Sequence, residues 1–124
     1  ALARYGVELR TNADKFINKI AGTNTGATFS RHRTLMDKLL GRDGKTILAV
    51  RKGATTHEVL HELRHFNQWR KFANKSQYWG LLEATRAAYV YEWFRNGPLW
   101  KRLTPVQQVN EYRTYFETLT SSQI

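Results

Sequence analysis

Three of the four histidines of this chain fall in one short stretch, His57-Glu58-Val59-Leu60-His61-Glu62-Leu63-Arg64-His65. Its last five residues have the form H-E-x-x-H. A helix turns by about 100° per residue, so side chains four apart stack one turn above each other, and His61 and His65 can reach a single ion. Glu62 is rotated by about 100° from His61, toward the side where water would enter, and suits a general base. The chemistry is that of hydrolysis assisted by Zn2+. Without an ion, the same residues would be two helix-face histidines beside an exposed acidic row of Glu58 and Glu62.

A hydrolytic zinc site needs a third protein ligand and one position left for water. Glu83, Glu92, Glu111, Glu117 and His57 are the candidates. Glu83 is the choice, because it falls on the next expected helix, and a glutamate from a packed second helix would complete a His-His-Glu set. His57 lies one turn before His61, and three ligands from one straight helix make poor tetrahedral geometry. A capping or supporting role suits it better.

Apolar spacing defines the elements that must carry these groups. Val59, Leu60, Leu63, Phe66 and Phe72 mark an amphipathic helix from Thr56 to about Asn74, with Thr55 or Thr56 as cap and Glu58 near its positive end. A second long helix is expected from Gln77 to Arg95, carrying Leu81, Leu82, Ala88, Tyr89, Tyr91 and Phe94, and stopped by Asn96-Gly97-Pro98. A third begins at Thr104-Pro105 and presents Val106, Val109, Tyr112, Tyr115 and Phe116 as an apolar face to about Leu119. Toward the N-terminus, Asn12 or Thr11 caps a short helix bearing Phe16, Ile17 and Ile20 and closed by Ala21-Gly22. Residues 21–30 form a loop that runs into a short strand around Ala27–Arg31. One or two helical turns follow over Thr34–Leu40, and the turn Arg42-Asp43-Gly44 leads into Thr46–Val50, the best strand in the chain. The expected fold class is α+β, a small N-terminal sheet or ribbon with a helical C-terminal part, in a single domain over residues 1–124.

The chain has 124 residues, no cysteine, and 20 Lys+Arg against 10 Asp+Glu. The absent cysteines exclude a disulfide framework, a Cys-type zinc site and a cysteine nucleophile. A formal charge of +10 attracts polyanions, so nucleic acid and an acidic protein are the partner classes it favours. Arg31, Arg33, Lys38, Arg42, Lys45, Arg51 and Lys52 concentrate that charge near the middle of the chain, with only Asp37 and Asp43 to oppose them. No stretch approaches the roughly 18 apolar residues of a membrane span. A start at Ala1, with Met36 the sole methionine, reads as a piece cut from a longer polypeptide.

The run Ala54-Thr55-Thr56-His57 through His65, then Tyr78, Tyr89-Val90-Tyr91-Glu92 and Trp100-Lys101-Arg102-Leu103-Thr104, resembles the zincin-like metallopeptidase toxin domains, type 4, of bacterial polymorphic and contact-dependent toxins. The resemblance covers roughly residues 45–118. It implies a zincin-like fold, a zinc site, a protein substrate, and a cognate immunity protein. It also implies delivery as the C-terminal part of a larger secreted toxin, with action in the target-cell cytoplasm. The chain departs from the family pattern at Arg86-Ala87, where that pattern carries a glutamate after the arginine. Either Glu83, one turn earlier, substitutes for the lost ligand, or the domain is not a working peptidase.

The competing class is a metal-independent ribonuclease. His57 and His61 would serve as acid and base, Arg64 and Lys71 would neutralise phosphate, and Tyr78 would complete the set. The aromatic and basic run Phe66-Asn67-Gln68-Trp69-Arg70-Lys71-Phe72 could stack bases, although Phe66, Trp69 and Phe72 fit a packed stripe better. Nucleotide-binding glycine loops and a G-x-S-x-G elbow are absent.

Overall fold

A computed structural model describes residues 2–22 and 25–122. The loop expected over 21–30 includes Thr23 and Asn24, which lie outside the described residues. The chain divides into two compact units, with the boundary between Phe66 and Asn67. The first unit opens with a 3-10 turn (Leu2–Tyr5), followed by β1 (Val7–Arg10), α1 (Asp14–Ala21), β2 (Ala27–His32), α2 (Leu35–Leu39), β3 (Lys45–Val50) and the start of α3 (Thr56–Arg70). The strand order is β1-β3-β2, with β1 parallel and β2 antiparallel to β3.

The strand expected from its β-branched run is the central one, and Thr46, Ile47, Leu48 and Ala49 are buried in succession. Side chains alternate faces along a strand, so a continuous buried run means that both faces are covered. On one face Ile47 and Ala49 pack with Ile17 of α1, joined by Ala13 and Phe16. On the other, Phe29, paired with Leu48, meets Phe66 of α3 edge to face at 6.1 Å between ring centres. Strand β1 had no clear signal, since only Val7 of its four residues is buried. It exists through pairing with β3.

The expected cap of α1 is corrected. Ala13 holds the N-cap position with no side-chain bond, and its amide donates to the Val50 carbonyl at 3.0 Å. Asn12 instead takes a left-handed φ of 50°, which turns the chain out of β1. Arg51 ties the end of α1 to the sheet by donating to Asn18 Oδ1 at 2.8 Å and to the carbonyls of Gly22 and Thr25.

The second unit contains α4 (Lys75–Trp79), α5 (Glu83–Asn96), a 3-10 turn (Trp100–Arg102) and α6 (Pro105–Ser122). Ala87, Val90 and Phe94, three and four residues apart, form the buried stripe of α5. Helix α3 ends at Arg70 rather than near Asn74, because Asn74 caps α4, its side chain accepting from the Ser76 amide at 3.1 Å. The single helix expected over 77–95 is two, because Gly80 ends α4 and Leu82 restarts the chain from an extended ψ of 142°. Thr104 and Gln107 close a capping box at the start of α6, through bonds of 3.0 and 3.2 Å. The apolar face expected on α6 is corrected in part, since Tyr115 is half-buried and stacks on Tyr91 of α5 with ring centres 5.1 Å apart. Val106, Val109, Tyr112 and Phe116 are exposed, while Glu111 and Thr118 are buried. The molecule is therefore α+β, a three-stranded sheet in a mostly helical chain. No described helix is long and apolar enough to cross a membrane.

Candidate functional site

The helix that carries the histidines begins with a capping box. The Thr55 amide donates to Glu58 Oε1 at 2.9 Å, and the Glu58 amide donates to Thr55 Oγ1 at 3.1 Å. The Glu58 carboxylate also lies against Gly26, where a Cβ would come within 2.0 Å of Oε2. One turn on, Glu62 Oε2 accepts from the Phe29 amide at 2.9 Å. After another turn Phe66 packs on the Phe29 ring, with Tyr5 at 5.7 Å between ring centres. Glu58, Glu62 and Phe66, four residues apart in sequence, thus form one row laid along β2 and the Gly26 that precedes it, and this row fixes the rotation of α3.

That rotation places His61 and His65 together on an adjacent face, with ring centres 5.1 Å apart and planes inclined by 67°. Two imidazoles bound through nitrogen at about 2.0–2.1 Å to one tetrahedral zinc have ring centres about 5 Å apart. The centre spacing of His61 and His65 is close to that value. Among the described residues, however, no three His, Cys, Asp or Glu side chains gather into a metal-holding group. The structure therefore brings His61, Glu62 and His65 together on one helix, with no third His, Cys, Asp or Glu gathered beside them among the described residues.

Glu83, the chosen third ligand, is the first residue of α5 and is exposed, as are Glu92 and Glu117. Glu111 differs from these carboxylates in being only 3% exposed. Ala87 is buried in the α5 stripe, and His57 is half-buried in the first turn of α3. Of the groups suggested for a ribonuclease, Tyr78 is 1% exposed and Trp69 is buried. The Lys71 ammonium lies over the Tyr89 ring at 5.1 Å. Of the stacking candidates, Phe66 and Trp69 are buried and offer no open face to a base, while Phe72 is half-buried.

Sequence reasoning missed the Phe29 amide, which donates to Glu62 Oε2. A backbone donor far away in the chain has no residue-type signature. The sequence leaves the cap between Thr55 and Thr56, and the reciprocal bonds with Glu58 select Thr55. No protein-family model, curated protein or solved structure matches this chain.

Proposed function

We propose that this chain is a zinc-dependent peptidase domain of the toxin type. His61 and His65 are the zinc ligands, Glu62 is the general base and Glu83 is the third ligand. The reading rests above all on the H-E-x-x-H segment, carried on one uninterrupted helix with its imidazole centres 5.1 Å apart. Zinc, when bound, supplies Lewis-acid polarisation of the scissile carbonyl. Glu62 takes the proton of the attacking water and passes it to the leaving amine. The Phe29 amide orients the Glu62 carboxylate through Oε2, and the capping box and Phe66 keep the helix from rolling. The substrate is a protein of the target cell, reached as part of a larger secreted toxin. The basic surface serves an acidic immunity protein.

The test is zinc content by elemental mass spectrometry, on protein purified without an affinity metal. About one zinc per chain is expected, lost in both His61→Ala and Glu83→Ala. Zinc that survives Glu83→Ala but not Glu111→Ala would replace Glu83 with the buried carboxylate. Absence of zinc from every sample, together with RNA cleavage in chelator, would overturn the reading in favour of the His57/His61 ribonuclease.

A further inference from the structure

The connection between β2 and β3 carries four large apolar side chains that the fold leaves outside. Leu35, Met36, Leu39 and Leu40 are 74%, 56%, 72% and 61% exposed, and no residue of α2 is buried. At about 100° per residue they occupy an arc of roughly 140° on one side of the turn, so they make one surface. Single exposed hydrophobics are ordinary, whereas a contiguous group marks an interaction site. The polar side of the same turn is tied down. Thr34 and Asp37 close a capping box, and Asp37 Oδ1 lies 3.2 Å from Arg42 Nε. The apolar arc is therefore held outward.

The rim of this arc is cationic. Arg31, Arg33, Lys38, Arg42 and Lys45 outnumber the acids beside them, of which Asp43 pairs with Arg31 at 2.9 Å, Asp37 with Arg42 at 3.2 Å and Glu8 with Lys45 at 4.0 Å. An open cleft of about 730 Å³ bordering α2 is lined by Arg10, His32, Arg42 and Lys45 together with Asp37 and Asp43, and Arg10 pairs with Glu8. We propose that α2 is a membrane-surface anchor that docks this unit on an anionic phospholipid bilayer. Its four apolar side chains enter the headgroup boundary, and Lys38, Arg42 and Lys45 meet lipid phosphates. A specific protein interface needs about 800 Å² from each partner and a complementary shape. A five-residue helix supplies little of that area. A bilayer accepts a projecting apolar turn without a matching pocket, and an anionic leaflet provides the charge complement.

The experiment is co-sedimentation of the full chain with vesicles of phosphatidylcholine alone, or of phosphatidylcholine and phosphatidylglycerol in equal parts. Binding is expected only to the anionic vesicles, and it should weaken with salt. Leu35→Ser with Leu39→Ser leaves the net charge unchanged and should reduce binding about tenfold or more, with an unaltered circular-dichroism melt because both residues are exposed. Lys38→Glu with Lys45→Glu should abolish the preference for anionic vesicles. Wild-type binding by the double serine variant would overturn the proposal, leaving only diffuse charge. Failure to bind anionic vesicles overturns it as well, whether the chain captures an acidic polypeptide instead or forms a dimer that the serine variant dissociates. None of these outcomes depends on zinc or on Glu62.

Discussion

At the scale of single residues, the row Glu58, Glu62, Phe66 lies against Gly26 and β2, and its two carboxylates make separable predictions. Gly26→Ala drives a methyl group into the Glu58 carboxylate, so Glu58 must leave Thr55 and the capping box opens. The expected cost is about 1 kcal/mol, the usual value of a cap. In a Glu58→Ala background the methyl group meets no carboxylate, and the same substitution should cost far less. Urea denaturation of the double-mutant cycle measures the difference, and strict additivity would refute the contact. Glu62→Gln retains an oxygen that can accept from the Phe29 amide and leaves both histidines in place. Under the peptidase reading it should keep zinc and its melting temperature while losing activity by about 100-fold or more. A variant that also lost zinc would show that Glu62 holds the site together rather than moving protons. The histidine and glutamate spacing was legible because a helix turns side-chain order directly into geometry. The Phe29 amide was not, because backbone donors are the same in every sequence.

At the scale of elements, the strongest local signals survived and the weaker ones gave way to tertiary pairing. The central strand, the cap at Thr104 and the helical turn after Thr34 were readable. Strand β1 has a single buried side chain and was not. Helix α6 shows how periodicity misleads, since an apolar stripe does not say which face is buried. Val109→Ser should therefore shift stability by no more than about 0.5 kcal/mol, as surface substitutions do, whereas Phe94→Ala should cost about 3–5 kcal/mol. Comparable losses at both positions would place the α6 stripe in a packed interface. In α2, the backbone amide of Thr34, then its hydroxyl and the nearby Arg42, hold the Asp37 carboxyl below its ordinary range. A lowered folded value means that the ionised carboxylate stabilises the cap above the ordinary aspartate pKa, and that this contribution is lost as pH falls through the lowered value. Asp37 should titrate by NMR below a peptide aspartate, with the Thr34 amide shift following the same curve. An unshifted titration would mean that the box is open in solution.

At the scale of the whole molecule, the positive charge is shared by both units, with twelve bases against six acids up to Phe66 and eight against four beyond it. Part of it is structural. Arg31 pairs with Asp43, and Arg51 closes α1 onto the sheet, so the sequence cluster overstates the charge free to meet a partner. An excess this broad accelerates association with any acidic partner and is screened beyond about 8–10 Å at physiological salt. The association rate with an acidic inhibitor should fall steeply between low and high salt, while the dissociation rate changes little. Charge alone does not separate a peptidase from a ribonuclease, because both would be steered alike. Zinc linkage does. A ligand present at about 100 times its dissociation constant stabilises the folded state by about 2.7 kcal/mol if the unfolded chain does not bind it. Adding zinc to chelator-treated protein should therefore raise the melting temperature by several degrees, and His65→Ala should remove the increase. A melt indifferent to zinc in wild type and variant alike would leave the 5.1 Å imidazole pair as a packing contact, and the toxin-peptidase reading would lose its physical basis.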